Sequence, residues 1–167
     1  MYYELCTFAR RVLFQKSLWK DGELWTAVAG GVAAYFWFRY DPVVIDRVRQ
    51  HFGDLLSATS IVFGFALAAL LFYIQAAVAW TKDEKVARVA DKIVDWHVWA
   101  IVCMLFLMAW LLGLWSFGVY LDNHSHFVFG LYAFLVFQLL YCGLQILNQT
   151  LIVWWIFRER DKLNNGT

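Results

Sequence analysis

Hydrophobic residues form four long runs along the chain, and charged residues fill the segments between the runs. The runs are Leu24 to Phe38, Leu55 to Trp80, Trp96 to Tyr120 and Phe127 to Phe157. A helix needs about 20 mostly apolar residues to cross the hydrocarbon core of a bilayer, and the last three runs reach that length. The pattern predicts an all-α integral membrane protein, a four-helix bundle.

The first run is shorter than the others. Its 15 residues would form a helix of roughly 22 Å, against a hydrocarbon core of roughly 30 Å. Trp25 at one end and the aromatic cluster at 35–37 at the other are typical of the belts at the two membrane interfaces. Small residues at Gly30 and Gly31 favour close packing on another helix. We therefore expect this run to cross the membrane.

The segments outside the runs complete the domain organisation. Residues 1–23 have apolar side chains near one face and basic ones around the other, which predicts an N-terminal amphipathic helix lying at the membrane interface. Residues 24–157 form the four-span bundle, with a charged amphipathic helix at 81–95 as the second connection. Residues 158–167 are a polar C-terminal tail.

Basic residues are distributed unequally between the connections. Lys and Arg number four before the first run, four in the second connection and three in the tail, but three in the first connection and none in the third. By the positive-inside rule, both termini are cytoplasmic and four spans lie between them. The lack of a cleavable signal peptide makes the first span the expected insertion signal. We expect a bacterial inner membrane as the location.

Composition narrows the class of protein further. Of 167 residues, 62% are hydrophobic, 20% aromatic and only 16% charged, which leaves no room for an additional soluble catalytic domain. The net charge of +1 is spread over the connections, so nucleic acid is not an expected partner. Cys6, Cys103 and Cys142 are far apart and odd in number, which argues against a disulfide relay or a zinc site.

Ionisable residues are absent from three long stretches. Asp, Glu, Lys, Arg and His do not occur in 55–80, 98–121 or 127–157. Proton-coupled pumps need a titratable group at mid-membrane, an intramembrane hydrolase needs a base, and haem needs a ligand at depth. The sequence therefore favours a protein without enzymatic activity and without a cofactor.

Three ionisable residues gather in the short third connection. Asp122, His124 and His126 could converge on a metal ion, but a tight polar turn uses the same residue types, and we expect no metal site. His97, beside Trp96 and Trp99 at the start of a run, is interpreted as an interfacial residue with no chemistry.

A line of polar residues follows the fourth run. Spacings of three, four, seven and eleven place them on one side of a helix, and that side cannot face lipid because an unpartnered amide in hydrocarbon is costly. The members are Gln138, Tyr141, Cys142, Gln145, Asn148 and Gln149, and Gln75 on the second run is their expected partner. The line could join helices within one protomer, join copies of the chain, or line a water-filled pore.

Small residues recur on one side of the second run. Ser57, Ser60, Gly64 and Ala68 fall at three- and four-residue steps, the pattern that lets membrane helices approach closely. They predict a helix-packing face.

The stretch Ser57-x-Thr59-Ser60-x-x-x-Gly64-Phe65, followed by Ala66-Leu67, resembles small bacterial four-span membrane proteins. Some of those proteins are membrane components of phage-defence systems. The resemblance covers the second run and the hairpin arrangement, about a third of the chain. It implies a membrane component that oligomerises and senses or perturbs the bilayer, and it brings no catalytic motif.

The sequence thus predicts a homo-oligomeric, pore-like or sensor-like component of the lipid bilayer, which the helix at 81–95 could couple to a soluble cytoplasmic partner. An accessory subunit of a larger membrane complex is the alternative. A membrane enzyme that works at the interface is the third hypothesis, with Asp41, Asp46, His51 and Asp54 or the 122–126 connection as its candidate residues.

Overall fold

The computed structural model describes residues 22–79, 84–121 and 125–165, and it describes side chains for 22–72, 94–118, 120–121 and 125–151. Within these ranges the chain forms five α-helices and no strand. They are α1 (Gly22–Tyr40), α2 (Val43–Gln50), α3 (Phe52–Ala79), α4 (Glu84–Phe117) and α5 (His126–Asn165), with a 3₁₀ turn at Gly118–Tyr120 between α4 and α5. The predicted all-helical class is confirmed.

Three of the helices contain segments that are long and apolar enough to cross a membrane. These segments are Phe52–Phe72 in α3, Val94–Phe117 in α4 and His126–Leu151 in α5. They coincide with the second, third and fourth runs of the sequence. Helix α1 contains the first run. This helix is less apolar than the three segments, because Glu23 and Arg39 lie near its two ends. That α1 also crosses the membrane stays a prediction.

Two helices extend beyond the predicted boundaries. Helix α4 starts at Glu84, so most of the predicted charged connection and the third span form one continuous helix. Helix α5 continues to Asn165, through most of the segment predicted as a polar tail. Residues 1–21, which include nearly all of the predicted interfacial helix, lie outside the described residues.

The short helix α2 begins where the sequence favours a helix start. The amide N–H of Val43 donates to Asp41 Oδ1 at 3.2 Å, which satisfies one of the donors left open at a helix N-terminus. Pro42 precedes the helix with a helical φ of −63°. Ile45 is the fully buried residue of α2, so the helix lies with this side against the other helices.

The long helices pack in the order α1, α5, α4, α3, each on the next. Helix α5 is antiparallel to α1, since Gln145 bonds to Glu23 and His126 to Tyr35. It is also antiparallel to α4, because Gln149 reaches Trp96 while Leu131 bonds to Trp110. Helix α5 therefore has a neighbour on each side, and α3 lies at one edge.

The two ends of this assembly differ, and we name them by their contents. The loop end contains α2, the turn at 118–120 and the start of α5. The tail end contains Gly22, the start of the apolar part of α4, and Gln149. The core between the ends is built by side chains three or four residues apart, which lie on one face of a helix. Those of α4 are Met104, Leu107, Leu111 and Leu114, and those of α5 are Val128, Tyr132 and Leu135.

Helices α1 and α5 approach closely at Gly31. A Cβ added to this residue would lie 3.0 Å from the Cβ of Phe137 and 3.3 Å from the carbonyl oxygen of Ala133. Such distances are tighter than ordinary contact, so the hydrogen side chain of glycine is needed there. The small residues of the first run thus pack α1 on α5.

Candidate functional site

Four polar residues of α5 lie inside the protein and form what we call the polar seam. The seam consists of Gln138, Tyr141, Gln145 and Gln149, whose exposed fractions are 5%, 7%, 2% and 6%. Their spacings of three, four and four residues keep them on one side of the helix. Cys142, also predicted for this side, is buried beside them.

Two seam residues bond to α4. The indole Nε1 of Trp99 donates to the hydroxyl of Tyr141 at 3.3 Å, and Nε2 of Gln149 donates to the carbonyl oxygen of Trp96 at 2.8 Å. Trp96 and Trp99 are one helical turn apart, which places both contacts on the same side of α4. The tail-end half of the α4–α5 contact is therefore held by hydrogen bonds as well as by apolar packing.

Gln145 bonds in the other direction, to α1. Its Nε2 donates to Oε2 of Glu23, which lies in the first turn of α1. A carboxylate is favoured at a helix N-terminus because the unpaired backbone N–H groups carry positive partial charge there. The seam thus ties both neighbours of α5 to it, and it brings a carboxylate to the tail-end part of the bundle.

Two amide oxygens of the seam have no hydrogen-bond partner. Oε1 of Gln138 and Oε1 of Gln149 are buried and accept no bond from the described part of the chain. Most buried polar atoms in proteins are hydrogen-bonded to protein or to ordered water, so these two atoms require an explanation.

One predicted member of the polar line does not belong to the seam, and the predicted partner Gln75 is not tested. Asn148 is exposed on the outer side of α5, although Gln149 next to it is buried. A helix turns by 100° per residue, so adjacent residues cannot share a narrow face. The side chain of Gln75 lies outside the described side chains.

His97 provides a polar contact between α3 and α4. It is 7% exposed, and its Nε2 lies 2.9 Å from the carbonyl oxygen of Ala66. Because a carbonyl oxygen only accepts, Nε2 must carry the proton. The side chain interpreted as interfacial is thus buried between α4 and α3.

The small residues predicted as a packing face of α3 are on its outer side. Ser57, Ser60, Gly64 and Ala68 are all exposed, and a Cβ added to Gly64 would meet no atom within 4 Å. The opposite side of the helix, with Phe52, Thr59 and Ala66, is buried. Within the described part of the chain, α3 therefore packs through its other face and leaves the small face open.

A buried tyrosine at the loop end was not identified from the sequence. Tyr132 is 0% exposed, and its hydroxyl accepts a bond of 2.9 Å from Nε of Arg49 on α2. The ring of Phe52 stacks on it at 6.0 Å, and Nη2 of Arg49 also donates to the carbonyl oxygen of Leu121. One residue of α5 thus joins α2, α3 and the turn after α4. In the sequence Tyr132 is one aromatic residue among many, and nothing marks its partner 83 positions away.

An apolar groove of about 470 Å³ lies between α1 and α5. It is lined by valine, alanine and phenylalanine side chains, together with Gly31 and Tyr35. The chemistry of this lining suits a hydrocarbon chain or another apolar helix. It offers no arrangement for recognising a polar substrate.

The third connection lies only partly within the described residues. His126 is the first residue of α5 and contacts α1, since its Nδ1 is 3.3 Å from the hydroxyl of Tyr35. Asp122 and His124 lie outside the described residues. In the part of the chain that the structure describes, no three His, Cys, Asp or Glu side chains are grouped as they would be around a metal ion.

Comparisons of the chain with protein-family models, with curated proteins and with solved structures found no match.

Proposed function

We propose that this chain is a non-enzymatic, four-span component of a bacterial inner membrane that assembles with copies of itself through the small face of α3. The observation that carries the proposal is that α5 and α3 use their patterned sides differently. The polar side of α5 is used inside the protomer, whereas the small side of α3 is open to the outside.

The antiparallel contact of α1 and α5 supports four crossings. The two helices lie side by side from the Glu23–Gln145 bond to the Tyr35–His126 contact. Helix α1 has 19 residues, which correspond to about 28 Å and nearly span a hydrocarbon core. Since the apolar segment of α5 crosses, α1 crosses with it, and the distribution of basic residues then places the tail end in the cytoplasm.

The open face of α3 is suited to close packing against a second helix. Between helices in lipid there is no hydrophobic driving force, and close van der Waals packing takes its place. Gly64 with Ser57 and Ser60 provides a surface on which a second backbone can approach. Its flanking side chains, Ile61 and Phe65, are 61% and 72% exposed and would surround the contact.

The buried seam supports a sensor-like component more than a pore between copies. Tyr141, Gln145 and Gln149 bond within their own chain, so they are not available to line a channel formed at an interface between protomers. These bonds join α4 and α1 to α5, so a sensor-like role would act through the relative positions of these three helices.

Cysteine cross-linking in native membranes tests the assembly. In a variant whose three native cysteines are replaced, Gly64→Cys should form a disulfide-linked dimer under mild oxidation. Gly143→Cys is the matched control, because Gly143 is also exposed, on α5, and also has open space around it. A chain that cross-links at neither position and migrates as a monomer in mild detergent at every concentration would contradict the proposal.

The alternative is an accessory subunit of a larger membrane complex, for which the open face of α3 is also suited. In that case, Gly64→Cys would cross-link to an unrelated spanning protein, and native purification would recover that protein in fixed ratio. A role in phage defence and a soluble partner at the start of α4 stay predictions.

A further inference from the structure

We infer that the groove between α1 and α5 binds one phospholipid, with an acyl chain along its apolar lining and the phosphate at Arg39. The ligand is a diacyl phospholipid of the surrounding membrane, recognised by apolar packing at one end and by charge at the other. This site rests on the proposed function in one respect, which is that α1 and α5 cross the bilayer side by side. It does not require contacts between copies through α3.

The groove opens toward the outside of the protein. Gly31 and Ala133, which are both buried, form its floor, and their small side chains leave a space of about 470 Å³. That volume is within the usual range of ligand pockets, roughly 300–1,000 Å³. Val32 and Phe134 border the space and are 52% and 37% exposed. Residues 133–137 belong to the apolar segment of α5, so acyl chains of the bilayer surround the opening.

The aromatic wall of the groove is held in place from behind. Phe134 stacks on Phe137 with ring centroids 5.7 Å apart, and it meets Trp110 of α4 edge-on at 5.0 Å. Phe137 in turn stacks on Tyr141 at 6.0 Å. Rings that are packed on their far side in this way do not collapse into the space in front of them. The groove is therefore preformed for a flexible chain.

Polar groups lie at the loop end of the groove. Tyr35 forms this end of the lining, and its hydroxyl is 3.3 Å from Nδ1 of His126. Arg39 is one helical turn further along α1, in its last turn, and is exposed. Arg39 is also eleven residues from Val28, which begins the lining, so it lies on the same side of the helix about 16 Å away. A cation is thus placed in line with the apolar groove.

This arrangement favours a phospholipid over a hydrocarbon chain without a headgroup. An acyl chain gains little by moving from the bilayer into an apolar groove, because lipid tails are equally apolar. Selective binding therefore needs a polar contact, and a guanidinium group forms strong, paired hydrogen bonds with phosphate oxygens. Arg39 lies about 12 Å along the helix from Gly31. A phosphate at the membrane surface, with a chain that descends from it, fits both parts of the site.

Native mass spectrometry of the full chain in detergent tests the inference. The probes are phosphatidylglycerol and a diacylglycerol with the same two acyl chains, which lacks the phosphate and its headgroup. Val32→Trp fills the groove, and Ala33→Trp is its control, because Ala33 is exposed on α1 but is not part of the lining. Arg39→Gln removes the charge, and Arg47→Gln is its control, because Arg47 is exposed on α2.

We expect one phosphatidylglycerol to bind per chain. Val32→Trp and Arg39→Gln should each raise the dissociation constant at least fivefold, and the two controls less than twofold. Diacylglycerol should bind at least fivefold more weakly, and Arg39→Gln should not change its binding. Equal affinity of all four variants for phosphatidylglycerol, or equal affinity of the unaltered chain for the two lipids, would overturn the inference. If Val32→Trp lowers the melting temperature, Arg39→Gln decides the outcome, because Arg39 is exposed.

A photoreactive side chain identifies the occupant in membranes. With p-benzoylphenylalanine in place of Phe134, the reactive group lies on the wall of the groove, and illumination should attach a phospholipid to it. Attachment to residues 1–21 of the same chain, or to a second copy, would show that the groove holds protein and would contradict the lipid site. A chain that binds phospholipid but stays monomeric would contradict the proposed assembly and leave the lipid site standing, so the two proposals can fail separately.

Discussion

Helices α3 and α5 are similarly apolar, but the protein uses them in opposite ways. In the most apolar window of α5, 44% of residues are buried, against 11% in α3. Helix α5 has α1 on one side and α4 on the other, while α3 packs mainly on α4 at the edge. Apolar character therefore does not decide which membrane helix is central.

The difference follows from the polar groups that each helix carries. In lipid, an apolar side chain gains little by leaving the acyl chains, but an amide must find a partner. Helix α5 has three glutamines in its spanning segment and is enclosed by helices that cover them. In the described part of α3, the hydroxyls of Ser60 and Thr59 donate to carbonyl oxygens four residues earlier in the same helix, so this part of α3 can remain at the edge.

The largest expected effect is at the loop end of α5. Replacing Tyr132 by Ala empties a fully buried site and removes the bond to Arg49, so we expect a loss of about 3–5 kcal/mol in the free energy of unfolding. Reversible unfolding in mixed micelles measures it. The control is Tyr120→Ala, whose side chain is 85% exposed and should be nearly neutral. Similar small losses in both variants would show that α5 is not the central helix.

A pair of glycine substitutions compares the two helices directly. We expect Gly31→Leu to lower stability by about 1–3 kcal/mol, because the new side chain would overlap Phe137 and the backbone of α5. Gly64→Leu has open space and should leave the stability of the protomer unchanged, while it weakens association between copies. Destabilisation of the isolated protomer by Gly64→Leu would mean that the outer face of α3 is already occupied within the chain.

The polar contact that holds α3 should have a smaller effect. His97→Leu removes the bond to Ala66, and we expect a loss of about 1 kcal/mol. Hydrogen exchange should become faster in α3 than in α5, because α3 has fewer other contacts. His51→Leu, at an exposed site of the loop end, is the control. Equal changes of exchange in both helices would remove the distinction between edge and centre.

The smallest effect is expected within the seam. Gln149→Leu removes one bond between helices and should cost about 0.6 kcal/mol, a typical value for such bonds in membranes. Asn148→Leu changes the adjacent, exposed residue and should cost nothing or stabilise slightly. The two variants can be compared by steric trapping or by unfolding in mixed micelles. A larger cost for Asn148→Leu would mean that the side of α5 with Asn148, and not the seam, faces the interior of the protein.

Much of the fold follows from patterns of a single helix. The runs of apolar residues located three helices that are long and apolar enough to cross a membrane, and the polar line identified Gln138, Tyr141, Gln145 and Gln149 on one side of α5. The same reasoning included Asn148, because spacing along a sequence does not give the width of the face that neighbours cover. It also did not predict the contact of His97 with α3, since a histidine near the end of a run is compatible with an exposed or a buried side chain.

The sequence by itself determined what each helix must do with its own backbone and with its polar side. In hydrocarbon, polar groups must find partners within the protein. The length of a helix, its apolar content and the need to enclose its amides can therefore be inferred from one segment at a time. Which helices meet was decided only by the tertiary structure. Glu23 and Gln145 are 122 positions apart, and Arg49 and Tyr132 are 83 apart. Such pairs depend on how four helices fit together, because many side chains of similar chemistry could have served as partners.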